Sequence, residues 1–182
     1  MDTPIPYPEP PLTGPLFVLR PFREGDFDAA LDLQRDTAAS RWVPALPATD
    51  GAGVEAVYDE WRREGSLLHL VIADLRNDRY LGEAMLALTE HGVGEVGCCV
   101  VPAQRGRGIA VGALRALTNW SFATIGLGRV QVFVATGNAA ALRLAGRAGF
   151  QREGVLRSYW EIEGTRVDAV VLARIAGDER QA

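Results

Sequence analysis

The hexapeptide Arg105-Gly106-Arg107-Gly108-Ile109-Ala110 restricts the fold more than any other part of this 182-residue chain. It follows a strand-like stretch over 95–101 that stops at Pro102. It opens a stretch over 108–125 in which Ala113, Leu114, Leu117 and Trp120 recur at helical spacing. A strand, a glycine-rich turn and a helix therefore follow one another. Glycines there let the backbone pass close to a ligand. The free N–H groups and positive dipole end of the helix start attract an anion. With Arg105 and Arg107 adding positive charge, the turn suits a phosphate or pyrophosphate group.

Two common phosphate loops are excluded. The chain contains no lysine, all 19 of its Lys+Arg residues being arginine, so neither a P-loop lysine nor a lysine Schiff base is available. A dinucleotide fingerprint needs a third glycine where Val111 stands, and an acidic residue about 20 residues on, and 126–134 holds none. A different nucleotide-binding enzyme is weakened accordingly.

Around the turn the pattern is mixed α/β. Strands are expected over 16–19, 67–73, 80–88, 95–101, 130–134, 155–156 and 167–175, and helices after Asp26, around Val54–Tyr58–Trp61, over 108–125 and over 138–148. Residues 43–51 read as a loop, and Asn77-Asp78 as a hairpin turn. Meander strands fill the first half and βαβ units the second. We expect an extended, loose arm over 1–15, where most of the prolines lie, one domain over 16–176, and a short tail over 177–182. A hydrophobic fraction of 48% and a charged fraction of 23% are globular values. A net charge of -4 without a basic run argues against a nucleic-acid partner. No stretch of 18 apolar residues and no leader pattern appear, so the expectation is a cytoplasmic protein with no membrane contact. Cys98 and Cys99 are adjacent and point to opposite strand faces, so neither a disulfide framework nor a metal site is expected.

A resemblance sharpens this reading. Arg105-x-x-Gly108-x-Ala110 is similar to the R/Q-x-x-G-x-G/A signature of the GNAT superfamily of acetyltransferases. Residues 95–102 resemble the strand before that loop, and Asn138 with Ala148-Gly149-Phe150 resembles the family's next motif. Leu19-Arg20-Pro21-Phe22 with Asp26, Arg152-Glu153-Gly154-Val155-Leu156-Arg157, and Arg166-Val167-Asp168 are similar to the RimJ/RimL-type branch. The resemblance covers about 16–175. It implies a mostly antiparallel sheet of about seven strands, splayed in the middle and flanked by about four helices. It also implies acetyl-CoA as cosubstrate. The pantetheine arm would pair with main-chain groups of Cys99, Val100 and Val101 as an added strand. The N–H groups from Arg105 through Gly106, Arg107, Gly108 and Ile109 to Ala110 would hold the pyrophosphate, and Asn138 would contact the cofactor or simply cap its helix. The partner would be an amine acceptor, a small molecule or a protein N-terminus. Homodimers are frequent in the superfamily.

The chain departs from the family where the leaving thiolate is usually protonated. Ala145 stands at the usual tyrosine and Ala141 at the serine of RimL-type relatives, and with Ala148 they form a small face suited to close packing. Glu95, sharing a strand face with Gly97 and Cys99, is the best candidate base, or else an ordinary surface carboxylate, and Glu83 on the neighbouring strand is weaker. Tyr159 and Trp160 line the acceptor cleft or serve as packing; His69 reads as structural. Acetyl transfer to a primary amine is the leading activity. The alternative is a GNAT-fold module that binds CoA without turnover.

Overall fold

Leu68, Leu70 and Ile72 alternate with His69, Val71 and Ala73, and all six are buried. The strand they form therefore has cover on both faces, which settles the layering of the domain. The structure is a computed structural model and describes residues 3–36, 45–89, 91–162 and 164–178. In chain order it contains β1 (Phe17–Arg20), α1 (Phe27–Arg35), α2 (Gly51–Arg63), β2 (Leu67–Asp74), β3 (Tyr80–Leu88), β4 (Gly94–Val100), α3 (Ile109–Trp120), β5 (Arg129–Ala135), α4 (Ala139–Arg147), β6 (Gln151–Ile162) and β7 (Thr165–Ile175). The strands make one sheet in the order β1-β2-β3-β4-β5-β7-β6. Every neighbouring pair is antiparallel except β4 and β5, which α3 connects as a crossover. This is the fold expected from the sequence.

One face packs against α3 and α4 through Leu70, Leu86, Val96, Leu114, Leu117 and Val130. The other carries α1 and α2 on Phe22, Leu33, Val54, Tyr58 and Tyr80. Ala145 and Ala148 are buried and Ala141 is partly so, which lets α4 lie close to the sheet.

Three local expectations are revised. The helix over 108–125 is α-helical only to Trp120; Ser121–Ile125 widens to a π turn and stops at Gly126, φ 79°. The strand foreseen at 155–156 runs the whole length of β6. It is a sheet edge, exposed along most of its length, and its register shifts between Arg152 and Gly154 and between Leu156 and Trp160, so no period of two survives in its sequence. The described part of the arm is not loose. Ile5 is buried, exchanges hydrogen bonds with Arg62 (2.9 and 3.1 Å), and is followed by Tyr7 under the Arg62 guanidinium. Residues 43–44 of the foreseen loop and 179–182 of the tail lie outside the described residues.

Asp26 stands at the N-cap position of α1. Its side chain does not cap α1 but accepts from Arg20 Nη1 and Nη2 (2.7 and 2.9 Å) and from the Arg23 N–H (2.9 Å). Arg20 Nε reaches Asp78 at 2.6 Å, tying β1 to the β2–β3 turn. Arg20 and Asp26 side chains are 7% and 8% exposed, so breaking the pair strands a buried charge. Arg20→Ala is expected to cost about 3–5 kcal/mol in urea unfolding; a loss below about 1 kcal/mol would show that the network carries no stability.

Candidate active site

The parallel pair β4–β5 is short. Gly94 pairs with Val130 and Glu95 with Gln131, and past Glu95 the strands part. The β4 edge beyond that vertex is therefore open towards β5. Val101 N–H donates to Leu81 O at 2.9 Å, which turns its main chain towards β3. Alternation along the strand turns Cys99 the same way, and Cys98 and Val100 towards the opening. A Cβ on Gly82 would lie 2.1 Å from Cys99 O, consistent with that carbonyl pointing at β3. Of the three main chains expected to meet the cofactor, Val100 alone faces the gap; Cys99 and Val101 are turned to β3, and Cys98 faces the gap as well. The side-chain alternation that the sequence showed says nothing of which backbone edge is already paired.

At the end of β4 the glycine-rich turn leads into α3. Gly106 (φ 78°) and Gly108 (φ 80°) adopt the left-handed conformation, and a Cβ on either would meet nothing within 4 Å. Gly108 is the N-cap residue of α3, and no side chain caps the helix, so the first-turn N–H groups are left for a ligand or water. Ile109 puts its side chain in the core and Ala110 is half-buried. Arg105 differs from expectation. Its Nε donates to Val100 O at 3.0 Å and its Nη2 pairs with Asp36 at the end of α1, so its charge is answered by a carboxylate. Arg107 is exposed and bonds Gln104. Asn138 Oδ1 accepts the Ala141 N–H at 3.1 Å, which makes it the cap of α4.

Glu95 stands at the vertex. Gln131 Nε2 donates to its Oε1 at 3.0 Å, Arg129 reaches Gln131 Oε1 at 3.3 Å, and Arg129 also binds Glu153. Gln131 escaped the sequence reading because only the β4–β5 register puts it beside Glu95. Two residues along the same face of β5, Phe133 stacks on Tyr159 (centroids 5.1 Å apart), which in turn lies against Trp160 at 5.4 Å. The structure thus gathers Tyr159 and Trp160 next to β5, with Tyr159 43% exposed. Gly97 forms the floor between Glu95 and Cys99. A Cβ there would lie 3.6 Å from the Met85 side chain, in ordinary van der Waals contact.

Neither thiol is poised as a nucleophile. Burial pushes Cys98 up to about 12, and burial also raises Cys99. Among the described residues no three His, Cys, Asp or Glu side chains gather into a metal site, and no helix is long and apolar enough to cross a membrane. Glu83 accepts from Tyr80 Oη at 2.7 Å and lies 3.2 Å from His69 Nε2; this cluster joins two strands and was likewise hidden from the sequence.

The model of the acetyltransferase (GNAT) domain matches residues 17–151. The N-alpha-acetyltransferase RimI of Mycobacterium tuberculosis is 33% identical over 153 residues, spanning 82% of this chain and 85% of that protein. Bacillus subtilis YjcK, described as a probable N-acetyltransferase, is 27% identical over 180 residues, 93% of this chain and 99% of its own. Mycobacterium smegmatis RimJ in complex with CoA-disulfide shares the fold with a TM-score of 0.77 at 24% identity, over 91% of this chain and 87% of that one. A GNAT-family acetyltransferase from Bacillus anthracis does so at 0.78 and 15%, over 92% and 99%. Fold and sequence together define an acyl-CoA-dependent N-acetyltransferase. The chain belongs to the GNAT acetyltransferase family.

Proposed function

We propose that the protein transfers the acetyl group of acetyl-CoA to a primary amine, a protein N-terminus or small molecule, in the cytoplasm. The observation that carries this is the parting of β4 and β5 one step past Glu95, beside the uncapped start of α3. The opening fits the cosubstrate. The Cys98 main chain and the Val100 N–H face the gap as a strand edge for the pantetheine arm, while Val100 O is held by Arg105 Nε. The Arg105 N–H donates to Pro102 O at 3.2 Å, so it is the N–H groups from Gly106 to Ala110 that suit the pyrophosphate, with space beside Gly106 and Gly108 that no side chain fills. Asn138 holds the α4 start beside the same opening. The cosubstrate supplies an activated acyl carbon and a thiolate leaving group.

The chain's own residues do the rest. Glu95, held by the neutral Gln131 amide, takes a proton from the incoming ammonium through one water. The neutral nitrogen then forms the C–N bond as the C–S bond breaks, and it releases its second proton to solvent to leave the amide. A thiol pKa near 8.5 lets the sulfur leave as thiolate and take its proton from solvent, consistent with the alanines at positions 141 and 145. Tyr159 and Trp160, with Phe133, flank the acceptor.

Because a single carboxylate is a weak base for an ammonium, the acceptor is an amine that loses its proton readily. An α-amino group has a pKa near 7.7–8.0 against about 10.4 for lysine, a difference of roughly 3 kcal/mol in deprotonation. Matched peptides, one with a free N-terminus and one N-terminally blocked with a lysine, test this at pH 7.5. The α-amine is expected to react on the order of 100-fold faster; a faster lysine peptide would overturn the assignment.

A further inference from the structure

Glu83 is a second acid on the sheet face that carries Glu95, and the steps above leave it unused. Its side chain is only 13% exposed. Tyr80 Oη donates to one oxygen at 2.7 Å, and His69 Nε2 lies 3.2 Å from the other. His69 is itself 7% exposed and stacks on Tyr58 with centroids 3.8 Å apart and an 11° tilt. Its Nδ1 has no hydrogen-bond partner, so the contact with Glu83 is what orients the ring. Burial raises the Tyr58 and Tyr80 phenols, and burial raises the Cys99 thiol opposite Glu83 on β4; these neighbours stay neutral. Beyond Cys99, Arg105 is engaged with Asp36 and Val100 O. Among the described residues no arginine bonds Glu83.

A carboxylate is thus held by Tyr80 and His69 on the sheet face that carries Glu95, and among the described residues it has no arginine partner. Its register partner is Cys99, while Met85 pairs with Gly97. Glu83 therefore stands one strand and two residues from Gly97, about 8 Å by strand geometry. A cation bound at Glu83 lies too far from Glu95 and the vertex to be the nitrogen that reacts.

We infer that Glu83, positioned by His69 and Tyr80, binds a second positive charge on the acceptor, so that the preferred acceptors are N-termini followed within two residues by Arg or Lys. This rests on the acetyl-transfer reading and names its substrate class. One extended residue plus a basic side chain spans the separation, and the ammonium or guanidinium gains a charge-assisted bond in a partly dry site. The α-amine at the vertex still loses its proton through water to Glu95, and the second cation keeps its own.

The test uses the full chain with saturating acetyl-CoA and two peptide amides, Ala-Arg-Ala-Ala and Ala-Gln-Ala-Ala, which share one nucleophile. The wild type is expected to favour the arginine peptide at least tenfold, chiefly in KM. Glu83→Gln brings the ratio to within threefold, and His69→Asn narrows it. Damage to folding alone lowers both rates together and leaves the ratio standing. Equal use of the two peptides by the wild type, or a preference that survives Glu83→Gln, overturns the proposal. If neither peptide reacts but butylamine does, this inference falls alone; if no amine is acetylated, the acetyl-transfer reading falls with it.

Discussion

Glu95→Gln is expected to lower kcat/KM for the amine by about 10²–10⁴-fold, the usual cost of losing a general base. The substitution is nearly isosteric, and the new amide can still bond Gln131 by choosing its orientation. The strand vertex should therefore keep its shape, and affinity for CoA, whose expected contacts lie farther along β4 and in the turn, should change little. Tyr159→Phe serves as the contrast. Its ring stacks on Phe133 and it is 43% exposed, so losing the hydroxyl is expected to cost less than about tenfold. Steady-state rates at several pH values check both. Full activity in Glu95→Gln would remove that residue from the mechanism, and collapse in Tyr159→Phe would identify a proton donor supplied from β6.

Gly108→Glu is expected to weaken CoA binding by about 100-fold or more, the loss that follows when charge-assisted bonds to backbone N–H groups give way to repulsion. A side chain at this position enters open space beside the turn, and its carboxylate would sit at the positive end of α3. The left-handed backbone at φ 80° adds strain of roughly 1–2 kcal/mol, which a domain of this size tolerates. Gly108→Ala carries that strain without the charge and separates the two effects. Calorimetric titration with CoA reads the outcome; unchanged affinity in a folded Gly108→Glu protein would move the cosubstrate elsewhere.

Local chemistry was legible in the sequence, and pairing across the sheet was not. The glycine turn, the uncapped helix start and the Asn138 cap depend on residues within a few positions of one another, and each stands where the residues place it. The strand–helix order likewise implied the sheet. Arg105, by contrast, finds Asp36 69 residues away, which no spacing rule reveals. Gln131 meets Glu95 only through the parallel register, and the His69–Glu83 contact spans β2 and β3. The arm illustrates the same limit: its prolines suggested looseness, yet Ile5 is buried in the core and its main chain is hydrogen-bonded to Arg62 of α2. Which backbone edge of β4 is free was also beyond alternation alone, because Cys99 and Val101 share a side-chain face and both edges look alike until β3 claims one.

Transfer itself is the central claim, and one assay reaches it directly. The protein is incubated with acetyl-CoA and a panel of primary amines that includes peptide N-termini, while free thiol and acetylated amine are measured together. The account predicts thiol release that depends on at least one amine and matches its N-acetylated product mole for mole. Thiol release no faster with any amine than in buffer, from a protein that binds CoA, would contradict it.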